Sequence, residues 1–383
     1  MHFSGLSTQA LEAAGAHWTA REIAQQPAVW RAIAARAGAD TALPQFLAPL
    51  LARPELRIVL TGAGSSAFVG ECLAPAMSRA LRQPVAAVAT TDLVAGPQNC
   101  LRPDAPTLLV SFARSGNSPE SVAAVELAQR LVPDCHHLVF TCNAQGALRS
   151  IAAGMDNAHV VVLPAETDDR SFAMTSSFSS MLLYAALAFG VLPPPAVGAA
   201  ADAAQDVLDS ALPLVQDLVQ AGFERVVYLG ANEMKGLARE GALKLLELTD
   251  GRVVSMADTP LGFRHGPKTI VNPRALVLLF LSQDATSRRY DTDLLAEIRR
   301  DGVAGRVLCV GAGAPGQPPD EQFTIGTAGA SALGNCLPML VFAQFFALMR
   351  SLSLGIRPDS PNASGIVSRV VKGVTIYPLE PSA

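Results

Sequence analysis

Few charged side chains, few aromatics and no run of like charge mark this sequence. Asp, Glu, Lys and Arg make up 16% of its 383 residues, aromatics 5%, and the formal net charge is −4. Without a basic patch there is no electrostatic footprint for nucleic acid, which removes that class of partner. Long apolar runs are missing too. The longest, MLLYAALAFGVL at 181–192, has 12 residues and ends in Pro193-Pro194-Pro195, too short to cross a bilayer. The opening residues, MHFSGLSTQALEAAG, lack a basic segment followed by an apolar one, so no secretion signal is expected. Cysteines at 72, 100, 135, 142, 309 and 336 form neither a CxxC pair nor a metal-ligand spacing. They read as reduced, mostly buried thiols in a cytoplasmic protein without a membrane partner.

What is present is apolar filler arranged in cycles. Half of the residues are apolar, with Ala, Val and Leu prominent, as in α/β proteins whose parallel sheets are covered on both faces. The length suits two domains of roughly 150 residues each. Residues 17–37, HWTAREIAQQPAVWRAIAARA, contain Thr19-x-x-Glu22, which predicts a capping box at a helix start. Pro27 should break or kink that helix. Residues 1–40 therefore read as a helical lead-in, too short for an added DNA-binding domain.

Strands are expected at ELRIVLTG (55–62), PVAAVATT (84–91), TLLVSF (107–112), HHLVF (136–140) and HVVVLP (159–164), several of them separated by helical segments. That alternation means βαβ units and a parallel sheet. A second cycle opens at ERVVYLG (224–230). Laying Gly230 on Gly62, an offset of 168, brings ALVLLFLS (275–282) near TLLVSFAR, RVLCVG (306–311) near HHLVF and FTIG (323–326) near HVVVLP. Four strands in the same order amount to an internal duplication. The expected fold is α/β: two doubly wound parallel sheets of the flavodoxin-like three-layer αβα kind, at 41–200 and 201–352. An extended tail, 353–383, follows and could reach back across the body.

In such folds ligands sit beyond the carboxyl ends of the strands. The first strand runs into Gly62-Ala63-Gly64-Ser65-Ser66. This is a tight βα turn, or an anion loop whose glycines admit a ligand and whose helix start offers free N–H groups. It also fits a dinucleotide fingerprint, but the acidic residue expected about 20 positions on is absent; Asp92 lies 28 after Gly64. TLLVSF ends in ARSGNSPES (113–121), where Arg114, Ser115, Gly116, Asn117 and Ser118 precede a helix opened by Pro119. Two hydroxyl-rich loops on one sheet can converge on a single phosphate, helped by backbone N–H groups and helix dipoles. The second half has GANEMKG (230–236) at the matching place, with Glu233 and no Ser pair. One half would then bind phosphate and the other supply catalysis.

Downstream, GLAREGALKLLELTDG (236–251) carries Lys244 and Glu247 on one helical face. They are either an ordinary surface ion pair or, beside a second site, a proton shuttle whose carboxyl is raised toward neutrality. In Arg264-His265-Gly266-Pro267 the proline forces an irregular loop. No partner ligands at metal spacing accompany His265, so no metal is assigned.

Strand–GxGSS, strand–ARSGNSPES, the KxxE helix and RHGP, in that order, closely resemble the sugar isomerase (SIS) proteins in their double-domain form. With TAREIAQQPAVW and DTPLGFRHGPK as well, the chain looks like the AgaS group, over residues 18–378. The resemblance implies two SIS domains binding a phosphosugar, with Gly64, Ser65, Ser66, Arg114, Ser115, Gly116, Asn117 and Ser118 around the phosphate. Family members often have Ser where Ala113 stands, so one phosphate hydrogen bond is missing or replaced. It further implies that Glu247 moves a proton between C1 and C2, and that Lys244 steadies the open-chain sugar. His265 would assist ring opening from the neighbouring subunit of a homodimer, and Lys372, in VVKGVTIY (370–377), would close the site from the tail.

The expected reaction is deamination and isomerisation of galactosamine 6-phosphate to tagatose 6-phosphate and ammonia, with no metal, nicotinamide or pyridoxal cofactor. The alternatives are plain aldose/ketose isomerisation, glucosamine-6-phosphate deamination and a non-catalytic phosphosugar sensor. A glutamine-dependent synthase is disfavoured: position 2 is His rather than Cys, and no ammonia-generating domain precedes residue 40.

Overall fold

A computed structural model describes residues 2–3, 5–313, 321–326, 331–371 and 373–379. Its first sheet contains β1 (Arg57–Gly62), β2 (Val85–Ala89), β3 (Thr107–Ala113), β4 (Cys135–Thr141) and β5 (Ala158–Val162), ordered β2-β1-β3-β4-β5. The second contains β6 (Arg225–Leu229), β7 (Val254–Asp258), β8 (Ala275–Phe280), β9 (Arg306–Gly311) and β10 (Gln322–Thr324), ordered β7-β6-β8-β9-β10. All pairings within both sheets are parallel. The order 2-1-3-4-5 therefore occurs twice, and the duplication extends to five strands rather than four. Strand β7 was not anticipated: Val-Ser-Met-Ala-Asp is an edge strand with no fully buried residue, so it lacks the apolar run that betrays the others.

Alternation along each strand explains the layering. Ile58 and Leu60, Leu108 and Val110, Val226 and Tyr228, Leu276 and Leu278 all face one core shared by the two halves. Val59, Leu109 and Val139 face a separate outer core of the first half, and Val227, Val277 and Leu279 another of the second. Both faces of each sheet are covered, as parallel sheets require.

Helix Ala332–Ser353 is long and apolar enough to cross a membrane by length and composition, yet 89% of its most apolar stretch is buried inside the protein. It packs against α5 (Pro194–Ser210) and α6 (Glu233–Leu248), which accounts for its composition. The lead-in differs from expectation. Helix α1 (His17–Ala24) begins two residues before Thr19, and no capping box forms. Asp359 of the tail instead accepts from Trp18 N at 3.1 Å and Thr19 N at 2.8 Å, while Glu22 turns inward to Arg170 N and Ser171. A distant carboxylate thus does the capping, which local spacing cannot reveal. Pro27 does separate α1 from α2 (Gln26–Ala39), lying in the first turn of the latter.

The two halves meet along α3 (Ser65–Leu81) and α6 (Glu233–Leu248), the helices that follow β1 and β6. Their crossing is close because Gly236 has no side chain. A Cβ there would lie 2.7 Å from Cys72 Sγ, 2.8 Å from Cys72 N and 2.9 Å from Phe68 O. Ion pairs Arg239–Glu71 and Arg79–Glu233 flank the crossing. Gly236→Ala should destabilise the chain by about 1–3 kcal/mol, the usual cost of overpacking, measured by urea denaturation; an unchanged midpoint would contradict the close crossing.

Candidate active site

The order β2-β1-β3 places a switch point between β1 and β3, where crossovers leave the sheet in opposite directions and open a crevice. The loops after these two strands line a cavity there of about 110 Å³. That is well under the roughly 300–1,000 Å³ of a site enclosing a whole ligand, and suits one anionic group. Ser66, Arg114, Ser115, Gly116 and Ser118 line it, with Ser121, Met174 and the tail residues Arg369, Val370 and Val371. Two further candidates stand behind it. Ser65 lies against Glu240, and Asn117 Oδ1 accepts from Ala147 N at 2.9 Å, fixing the loop from outside. Gly64 is the left-handed turn residue before α3, with φ 56° and ψ −127°. Asn232 repeats that conformation in the second half, at φ 52° and ψ −122°.

Ser121 was missed in the sequence reading because it sits inside helix α4 (Pro119–Leu131). Its hydroxyl is 2.6 Å from that of Ser118, the N-cap. It brings a hydroxyl to a cavity where Ala113 has none. The second half's switch point also opens into a cavity, lined by Asn232, Glu233, Ser282 and Asp284, with Arg79 reaching in from α3. Two carboxylates there disfavour phosphate, so the duplicated halves are chemically unequal.

Helix α6 brings the second half's charges to the first half's loops. Lys244 is fully buried and bonds Glu247, with Glu240 Oε1 at 3.5 Å from its Nζ. Glu247 keeps 25% of its side chain exposed, and its charge is felt by Arg114 at the end of β3. Burial works against the charge on Lys244, but Glu240 and Glu247 together carry its pKa above the ordinary lysine value. Burial pushes the Glu240 carboxyl up to about 7, overcoming the pull of Lys244. One ammonium is shared between two carboxylates, so Glu247 takes the ion pair and Glu240 stands ready to hold a proton. The carboxyl near neutrality is thus Glu240, one turn before Lys244, which the KxxE spacing alone did not single out. Its signal was Glu240-x-x-x-Lys244, an i,i+4 pair among leucines and alanines.

Arg114 is buried to 6% exposure, and burial, then the charge of Arg369, lowers its pKa. No hydrogen bond or ion pair joins His265 to this group among the described residues. It is exposed, after the short helix Pro260–Phe263, and among the described residues its ring makes no hydrogen bond. Its loop is held by Arg264 to Glu297 at 2.8 Å and by Lys268 to Glu297 and Asp301. Lys372 lies outside the described residues. Among those described, no three His, Cys, Asp or Glu side chains converge in a way that could hold a metal ion.

Hydroxyl loops at a parallel-sheet switch point, faced by a buried acid–lysine–acid helix, define the class as SIS-domain proteins. Residues 50–190 match the SIS domain family. The chain is 43% identical over 376 residues to "D-galactosamine-6-phosphate deaminase AgaS" of Shewanella sp. (strain ANA-3), covering 97% of this chain and 95% of that one. It is 45% identical over 382 residues to the protein of the same name from Escherichia coli O157:H7, covering 96% and 97%. Among solved structures it is similar to a tagatose-6-phosphate ketose/aldose isomerase from Escherichia coli, with TM-score 0.88, 42% identity and coverage of 95% and 97%. The chain belongs to the AgaS family of double-SIS-domain phosphosugar enzymes.

The buried Glu240 carries a sign that can be tested. Its folded pKa is raised, so its contribution to stability is complete below the unfolded value of 4.5 and is lost as pH rises through about 7. Glu240→Gln removes that loss. The Tm of the variant relative to wild type should therefore improve between pH 5 and pH 8, read by calorimetry at both; a constant difference would contradict the raised pKa.

Proposed function

We propose that the chain deaminates and isomerises galactosamine 6-phosphate, giving tagatose 6-phosphate and ammonia. The observation that carries this reading is the partly exposed Glu247 carboxylate, held by buried Lys244 on α6, the helix that packs against α3 where the first hydroxyl loop ends. Names borne by relatives over most of the chain support the substrate.

The phosphate sits among Ser66, Ser115, Ser118 and the N-terminus of α4, where oriented hydroxyls and N–H groups meet its charge. Ser121 supplies the hydroxyl that Ala113 lacks. The sugar then extends from this anchor to Glu247. Once the ring has opened, Glu247 takes the proton from C2, and the C2–H electron pair forms a C1–C2 double bond as O1 is protonated. Lys244 offsets the negative charge that develops on O1. Glu247 returns a proton to C1 and the O1–H remains; the nitrogen lone pair forms the C2=N bond and one N–H proton is released to solvent, which balances the proton O1 took up and leaves an imine. Water adds at C2 and ammonia leaves, giving the ketone. The only co-reactant is water.

His265 of a second copy assists ring opening, which makes the working unit a homodimer, and Lys372 closes the site from the tail. The exposure of His265 supports the first assignment. The first half, to about residue 200, provides the anchor, and the second, to about residue 352, the acid–base helix; the enzyme works in the cytoplasm.

Ammonia release across galactosamine and glucosamine 6-phosphates and their N-acetyl forms tests the reaction. Galactosamine 6-phosphate should release one ammonia per tagatose 6-phosphate formed; isomerisation of an aldose phosphate without ammonia would sink the deaminase reading. Glu247→Gln should lower kcat by about 10²–10⁴-fold while sugar-phosphate affinity is kept. A wild-type chain that binds sugar phosphate without any turnover would instead be a sensor.

A further inference from the structure

The guanidinium of Arg114 joins segments far apart in sequence. Its Nη1 donates to the carbonyl of Phe172 at 3.2 Å and its Nη2 to the carbonyl of Arg369 at 2.7 Å. Met174 follows the first of these and Val370 and Val371 the second, and all three roof the strand-end cavity. The third nitrogen, Nε, is buried without a partner among the described residues, on a side chain that lines the same cavity. Arg369 is held from its other side, with Nε donating to Asp169 O at 3.0 Å and Nη2 to Asp168 Oδ1 at 3.2 Å. Around this clamp the tail is weakly attached. Ile366 is 86% exposed, and Val367, Val371 and Tyr377 are exposed as well.

We propose that Arg114 is a positioning residue that holds the tail over the cavity and couples that hold to phosphate occupancy. The inference rests on reading the cavity as a phosphate anchor. Arg369 stands close by and is paired with Asp168, whereas the buried Arg114 bonds two backbone carbonyls, which give only partial compensation for its charge. A phosphate among Ser66, Ser115 and Ser118 gives Nε an acceptor and offsets the Arg114 charge. The fork of Arg114 is then fixed, and with it the carbonyl of Arg369. Lysine has the charge but not the fork, and cannot reach two carbonyls and an anion at once. Phosphate recognition therefore acts on catalysis as well as on affinity: a sugar without phosphate leaves the roof unsecured.

Hydrogen exchange of the tail amides in the full chain tests this, with inorganic phosphate as the probe. In wild type, saturating phosphate should slow exchange across residues 369–377 by about tenfold or more. Arg114→Lys should exchange rapidly there with and without phosphate, while amides of the first sheet keep their protection. An Arg114→Lys chain with wild-type tail protection and phosphate response overturns the proposal. If that variant does not fold, wild type decides alone, because a tail unmoved by saturating phosphate overturns the coupling. No turnover is involved, so a failure of the deaminase reading appears separately, as absent ammonia release, and leaves this result intact.

Discussion

Helices α3 and α6 cross with Gly236 against the backbone of Cys72, and the composite site depends on that contact. Neither half holds both parts of the chemistry. The hydroxyl loops belong to the first sheet, and the acid–lysine–acid helix follows the first strand of the second. Only a close crossing puts Ser65 of one helix against Glu240 of the other. Duplication explains why the approach is available. The pair Arg79–Glu233 on one side of the crossing corresponds, by the offset of 168, to Glu247 and Ser65 on the other. One side of the near-symmetric contact keeps the Arg79–Glu233 pair, and the other sets Ser65 against Glu240 and leaves Glu247 paired with Lys244 but partly exposed.

Electrostatics then divides the labour on α6. Two carboxylates and one ammonium in a buried space cannot all be solvated, so one acid pairs and the other tends toward neutrality. Glu247, partly exposed, is the one able to meet a ligand. Glu240, one turn earlier, has the raised carboxyl and adds to the negative charge around Lys244. Arg114, buried at the end of β3, donates to two backbone carbonyls and keeps its Nε without a partner among the described residues. The tail and the loop 165–175 are drawn into the same arrangement through Asp359, Phe172 and Arg369.

Much of this was legible in the sequence, and the remainder was not for identifiable reasons. Buried parallel strands such as Thr107–Ala113 and Ala275–Phe280 are continuous apolar runs, so the two sheets and their repeat could be read directly. Strand β7 is a short edge with mixed polarity and escaped. The GxGSS and RSGNSPES loops announced themselves by hydroxyls at strand ends, and both reach one cavity. What local patterns could not give was anything set by long-range contact. Thr19-x-x-Glu22 looked like a self-contained cap, but the cap is Asp359 and Glu22 serves a buried loop. Glu240 looked like one more helical glutamate until packing against α3 buried it. Arg114 looked like a phosphate ligand only, while two of its three donor nitrogens hold backbone carbonyls of the roof.

The central claim is that a carboxylate of the second half acts on a sugar anchored by the first. The most direct measurement is a crystal structure of the Glu247→Gln chain with galactosamine 6-phosphate bound. Phosphate should lie among Ser66, Ser115 and Ser118, with C1 and C2 within about 3 Å of the residue-247 side chain, the reach needed for proton transfer. A phosphate bound elsewhere, or a sugar whose C2 lies beyond reach of that side chain, would contradict it.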